Sequence, residues 1–366
     1  MITFREVFDM SITKTSFGRL PDGRSADLYI LKNVAGASVE ITNYGGILRA
    51  INVPDKNGEI GNVLLGYTDV NGYEPCCGYL GALIGRVGNR IAKGECTVEG
   101  QELHLAKNEG GKNHLHGGNL GFNRKLWDAT PVEGICEDHL ILKLVSPDGE
   151  EGYPGNLQVM VTYTWTDENE LVIRYEAVSD RDTLCNLTNH AYFNLEGEGS
   201  GTVLDHTFEI NADTFTVGDS ELIPTGEQRD VTGTPFDFRE PTRLGDVIAQ
   251  TEENDQLRAG HGVDHNFNIN DPDAGLRFAA SVVAPVSGRT MDVFTDMPAM
   301  QLYAGCCLES IHEGSCGRKD GRFEGFCMET QYAPDSINHP NFPDSVLYAG
   351  EKYDYTTVFA FDTVED

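Results

Sequence analysis

Residues 157–178 read "LQVMVTYTWTDENELVIRYEAV", and their spacing decides what kind of fold this is. Leu157, Val159, Val161, Tyr163 and Trp165 fall on one face of an extended chain, with Gln158, Thr162, Thr164 and Thr166 on the other, because side chains alternate across a strand. "DENE" at 167–170 interrupts the run as a turn does, and Leu171, Ile173, Tyr175 and Ala177 then resume the alternation. Two half-buried strands joined by a short polar turn make an antiparallel hairpin.

The same period recurs from end to end. "KYDYTTVFAF" near the C-terminus puts Tyr353, Tyr355, Thr357, Phe359 and Phe361 on one face. The 41 Gly and 15 Pro supply turn signals such as "PDKNG" at 54–58 and "SPDGEEGYPG" at 146–155. No stretch reads as a convincing helix, and the chain is all-β. Its 366 residues would ordinarily suggest two domains, but no Pro/Ser linker, low-complexity tract, charge block or fixed-period repeat divides it. The expectation is one domain over residues 1–366, a large antiparallel sandwich with its strands in two layered sheets and sites on a concave inner face.

Charge narrows the choice of partner. Against 58 Asp and Glu stand 27 Lys and Arg, a formal net charge of −31. Such a surface repels phosphate backbones and anionic lipid, so neither nucleic acid nor membrane is expected as a partner. "MITFREVFDMSITKT" carries Arg5, Glu6 and Asp9 where a secretory signal needs an apolar run, and no run of 18 apolar residues follows. A cytoplasmic protein is expected. The nine cysteines include two adjacent pairs, Cys76–Cys77 and Cys306–Cys307, but no C-x-x-C. They read as reduced packing residues, not as a disulfide frame or a zinc knuckle.

Candidate chemistry gathers in a few segments. In "FCMETQYAPDSINHPNFP" at 326–343, alternation sends Phe326, Met328 and Thr330 to one face and Cys327, Glu329 and Gln331 to the other. In "NHLHGG" at 113–118, His114 and His116 would share a face if the segment is extended, a spacing that could ligate a metal in a cupin-like barrel. That arrangement needs a Glu a few residues on and a further His, and Gly117, Gly118, Asn119 and Leu120 stand there instead. No metal is expected. "LTNHAYFNL" at 187–195 sets His190 among amides and aromatics, as sugar pockets do. "GRVGNRI" at 85–91 holds Arg86 and Arg90 in a chain poor in basic residues; Arg90 beside Asn89 could anchor hydroxyls or pair with a carboxylate. "GVDHNF" at 262–267 offers Asp264 and His265, and "MQLYAG" at 300–305 offers Gln301.

No G-x-G-x-x-G follows a strand, and neither G-x-x-x-x-G-K-[ST] nor G-x-S-x-G occurs. What remains is one Glu and one or more His, the minimum pair for moving protons between two oxygens of a neutral polyol without a cofactor.

Taken together these segments, with "ITNYGGILRAINVPDKNG" (41–58), "VLLGYTDVNGY" (63–73), "NHLHGGNLGFNRKLWD" and the run from 187 to 227, resemble the aldose 1-epimerase (galactose mutarotase) family along nearly the whole chain. The resemblance implies a β-supersandwich, monomeric or a homodimer, that interconverts the α and β anomers of free hexoses such as galactose and glucose without metal or nucleotide. It makes Glu329 the general base and His190 the general acid. Asn89, Arg90, His116, Asp264 and Gln301 become substrate-binding residues, and His114 has no assigned role. His190 would have to start protonated, which a nearby carboxylate would favour by raising its pKa. Three places depart from the pattern: Val263 stands where an aromatic is usual, Cys306 and Cys307 where a run beginning with Asn is usual, and Glu324 in a stretch usually less acidic. The alternatives are a mutarotase for maltose or hexose 6-phosphates, a non-catalytic carbohydrate-binding module, and a metal-dependent cupin-like isomerase. Asn338, His339 and Pro340, after the Glu329 strand, are read as scaffold closing one side of the pocket.

Overall fold

The computed structural model describes residues 11–74, 78–134 and 137–364; Cys76, Cys77 and Cys136 lie outside them. The hairpin forms as its alternation requires. Strand Leu157–Thr166 pairs antiparallel with Glu170–Ser179, Tyr163 opposite Ile173 and Val161 opposite Tyr175. Val159, Val161, Tyr163, Trp165, Leu171, Ile173, Tyr175 and Ala177 are all buried, while Gln158 and Arg174 on the other face reach solvent. The C-terminal strand, Lys352–Thr363, lies against Glu170–Ser179 and sets Phe359 opposite Leu171.

These strands form the middle of a nine-stranded sheet, and two five-stranded sheets accompany it. One of the five-stranded sheets is the N-terminal meander from Ser11–Arg19 to Ile60–Asn62. The other ends at strand Cys327–Gln331, which among the described residues pairs only with Ala299–Tyr303. The expected antiparallel sandwich is present, with its strands spread over three principal sheets and two-stranded ribbons instead of two sheets. Alternation marks which face of a strand is buried but carries no information about which distant strand pairs with it. All ladders among the described residues are antiparallel apart from an isolated Val87–Asn186 bridge. A continuous apolar core runs from Tyr29, Val39 and Ile51 of the N-terminal sheet through Trp165 and Phe359 to Phe267, Leu302 and Met328. It joins the inner faces of all three sheets.

Of the cysteines described, all six are free thiols, with Cys96, Cys185, Cys306 and Cys327 buried as packing residues should be. Cys307 and Cys316 are exposed, so the packing role does not extend to them. Arg86 is structural. Its guanidinium is 2% exposed and donates to the carbonyls of Ser146, Pro147, Pro154 and Gly155 and to the hydroxyls of Ser146 and Thr183. The fork is thereby saturated with acceptors, as burying a cation without a carboxylate demands.

Candidate active site

The edge strand Cys327–Gln331 places Glu329 on the wall of a cavity of about 490 Å³, within the usual range of small-molecule sites. Met328 points the other way, into the core. His190 follows the short strand Thr188–Asn189 and is pinned at both backbone groups: its N–H donates to Ala82 and its carbonyl accepts from Gly81, each at 2.9 Å. Two reciprocal bonds between Phe193 and Phe326 then tie this segment to the start of the Glu329 strand. The result is a separation of 3.7 Å between His190 Nε2 and a Glu329 carboxylate oxygen, with the residues 5% and 2% exposed. The other Glu329 oxygen is buried without a partner.

Burial governs both groups. Desolvation pushes the His190 imidazole down to about 4, and it pushes the Glu329 carboxyl well above its ordinary range, with Asp264 adding repulsion and Arg90 partly opposing. Burial therefore works against the expectation that a neighbouring carboxylate would raise the His190 pKa.

"NHLHGG" is not an extended strand. Its one strand, His114–Leu115, pairs with Arg90–Ile91, Asn113 makes a lone bridge to Glu109, and at His116 the backbone turns left-handed with φ 49°. The two histidines consequently part company. His114 is fully buried between the Ala106 carbonyl at 2.7 Å and the Tyr153 hydroxyl at 2.5 Å, off the cavity wall. His116 lines the cavity, and its Nδ1 accepts the Asn89 N–H at 3.1 Å. A nitrogen that accepts carries no proton, so the neutral ring keeps its proton on Nε2. Burial, with His190 and Arg90 nearby, holds it neutral by pushing its pKa well down.

That tautomer bears on metal binding. Nitrogen and oxygen atoms of His116, His190 and Glu329 lie within 4.8 Å of one another, a spacing compatible with a cation. A metal-bound histidine, however, donates its second N–H to an acceptor, whereas His116 meets a donor there. It presents a hydrogen, not a lone pair, which suits a sugar oxygen.

Asn89 and Arg90 also line the cavity, Asn89 with φ 59°. The Arg90 fork binds the Glu109 carboxylate through Nε at 2.9 Å and a terminal nitrogen at 2.8 Å. The pairing reading of Arg90 is met, and its side chain lies on the cavity wall as well. Asp264 lies on the wall and accepts from Gln301 Nε2 at 2.6 Å; burial raises its pKa while Arg90 and that bond oppose the rise. Gln301 sits opposite Glu329 in the ladder but behind Asp264, facing a separate small cavity. His265 packs against Phe236, its Nδ1 accepting from the Asp264 N–H, and takes no place on the main wall.

Alternation did not single out Tyr79, Tyr303 and Glu109, all on the wall, whereas Tyr192, which alternation sets on the face of His190, lines it too. Tyr79 has φ 59° and its ring is 4.6 Å from His116; Tyr192 lies 5.1 Å from His190. Cys307, one of the departures, is on the wall too, whereas Cys306 bonds the Val263 carbonyl in the core and Glu324 pairs with Arg318. Asn338, His339 and Pro340 are not among the lining residues. Their loop supports the Arg90 segment from behind, with Asp335 N–H donating to the Arg90 carbonyl and Ala92 N–H to the Asp335 carboxylate.

A family model described as aldose 1-epimerase matches residues 27–360. The chain is 42% identical to galactose mutarotase of Rattus norvegicus over 352 residues, 96% of this chain and 99% of that one. It is 35% identical to aldose 1-epimerase of Escherichia coli over 344 residues, 93% and 96% of the two chains. The solved structure of galactose 1-epimerase from Lactobacillus acidophilus superposes with a TM-score of 0.84 at 28% identity, covering 97% of this chain and all of that one. The chain therefore belongs to the aldose 1-epimerase family and is a sugar isomerase.

Proposed function

We propose that this chain interconverts the α and β anomers of free hexoses such as galactose and glucose, with Glu329 as general base and His190 as general acid. The observation that carries the reading is the 3.7 Å approach of those two buried groups on the wall of a sugar-sized cavity. Glu329 takes the proton of the C1 hydroxyl, the C1–O1 bond becomes a carbonyl, the bond from C1 to the ring oxygen breaks, and His190 protonates that oxygen. Rotation about C1–C2 and the reverse transfers close the ring on the other face, leaving both groups as they began.

The pair shares one proton. Ring opening moves charge from Glu329 anion and His190 cation to two neutral groups, the state burial favours. The same burial that opposes the charged pair thus makes Glu329 a stronger base and His190 a stronger acid. At 3.7 Å the mutual attraction of the charged pair, about 4.5 kcal/mol at an effective dielectric of 20, offsets part of its cost. Each placed proton transfer is worth ~10²–10⁴ in rate. Arg90, Asn89, His116 and Asp264, the last steadied by Gln301, hold the remaining hydroxyls. We further propose that the chain works as one domain, as a monomer or homodimer in the cytoplasm. None of its described helices is long and apolar enough to cross a membrane.

Polarimetry of freshly dissolved α-D-galactose and α-D-glucose tests the reading. Accelerated decay to equilibrium, unaffected by EDTA, is expected, with Glu329→Gln and His190→Asn losing most of it while still folded. A Glu329→Gln enzyme as fast as wild type would sink the base assignment. Sugar binding without acceleration would leave a carbohydrate-binding module, and preference for maltose or glucose 6-phosphate would move the substrate within the family.

A further inference from the structure

His190 is flanked from one strand at both ring nitrogens. Cys327 and Glu329 stand two residues apart in Cys327–Gln331, so their side chains leave on the same face. The Cys327 sulfur lies 3.4 Å from His190 Nδ1, and Glu329 lies 3.7 Å from Nε2. We propose that Cys327 is a positioning residue of the reaction: its sulfur accepts the His190 Nδ1–H and fixes the tautomer whose Nε2 faces Glu329 and the sugar. The inference rests on His190 being the acid.

An acid that delivers its proton from Nε2 keeps a proton on Nδ1 before and after the transfer, so Nδ1 must meet an acceptor throughout. A thiol donating to Nδ1 would block the imidazolium; a thiol accepting from it permits both states. The groups facing the ring are Tyr79, His116, Tyr192, Tyr303, Cys327 and Glu329. The carboxylate among them addresses Nε2, which leaves the sulfur for Nδ1. Cys327 has no exposed surface, and burial pushes its thiol pKa well up, so the acceptor is a neutral sulfur. A carboxylate at Nδ1, as in a hydrolase triad, stabilises the imidazolium and suits a base that must capture a proton. Sulfur is a weak acceptor. It orients the ring while leaving the imidazolium ready to release its proton, which is what protonating a ring oxygen requires.

The test compares Cys327→Ala and Cys327→Ser with wild type in the pH profile of galactose mutarotation and in the imidazole ¹⁵N spectrum, with His190 assigned through His190→Asn. Losing one hydrogen bond predicts a fall in kcat of roughly three- to tenfold for Cys327→Ala with KM unchanged, and a His190 spectrum that changes from the Nδ1–H tautomer to a mixture. Serine, a better acceptor, should restore the single tautomer and move the acid limb of kcat to higher pH. A Cys327→Ala enzyme with wild-type kcat, pH profile and spectrum would overturn the proposal. Should that variant fail to fold, an unshifted limb or a mixed-tautomer spectrum in Cys327→Ser would do the same. If His190→Asn kept full activity, the acid assignment itself would fail; if it were inactive while the Cys327 variants matched wild type, only the role of Cys327 would.

Discussion

Glu329 occupies a place that suits chemistry better than stability, since one of its carboxylate oxygens is buried with no partner. Its pKa is raised from 4.5 by burial. The unfolded chain ionises near the ordinary value while the folded chain resists, so the contribution of the neutral carboxyl is full below about 4.5 and is lost as pH climbs toward the folded pKa. Glutamine does not ionise. Glu329→Gln should therefore melt higher than wild type by a margin that widens as pH rises above about 4.5, while its mutarotation falls ~10²–10⁴-fold; melting curves across pH check the first half and polarimetry the second. A margin that shrank with rising pH would contradict the burial argument. Arg90 offers a second residue-level test. Its planar fork spans Glu109 and still reaches the cavity, and a lysine ammonium cannot do both from one point. Arg90→Lys should raise KM for galactose about tenfold, equivalent to ~1.4 kcal/mol of lost binding, with a smaller change in kcat, read from steady-state rates.

Strands were legible where alternation is strict. The faces read from 157–178 are the faces the hairpin buries, and Glu329 leaves its strand on the side opposite Met328. Alternation also put Cys327 beside Glu329, a signal available in the sequence but not used there. Legibility ended where the backbone leaves the β region. His114 and His116 diverge because His116 has φ 49°, and Tyr79 and Asn89 reach the cavity from left-handed positions that carry no periodic mark. The glycines after His116 show how tightly that turn is built. At Gly117, φ is 81° and an added Cβ would lie 1.8 Å from the Gly85 carbonyl oxygen; at Gly149, φ is 83° and nothing lies within 4 Å. Alanine at Gly149 should cost only the left-handed strain, about 1 kcal/mol. Gly117→Ala must also push apart two backbone segments that carry Asn89 and His116, and should cost about 2–4 kcal/mol in urea unfolding and weaken sugar binding. Equal losses at the two positions would show that the close approach to Gly85 does not matter.

Across the whole molecule the dominant field is the charge of −31, and it acts on stability and on substrate choice by the same physics. Like charges spread over one surface repel, and salt screens that repulsion beyond a Debye length of about 8 Å at physiological ionic strength. The melting temperature should accordingly climb as NaCl is added to a low-salt buffer. A neutral hexose carries no charge for this field to act on, so KM for galactose should stay flat over the same range. A hexose 6-phosphate differs. The basic groups at the cavity are already engaged, Arg90 with Glu109 and Lys112 with Glu221 across its mouth, and Asp264 and Glu329 stand on the wall. A phosphate would enter against the net field with no unpaired fork to receive it. Its kcat/KM should be well below that of glucose at low salt and should recover partly as salt screens the repulsion, in mutarotation assays run side by side. Equal turnover of glucose and glucose 6-phosphate at low salt would mean that local contacts, not the overall field, decide which sugar this cavity admits.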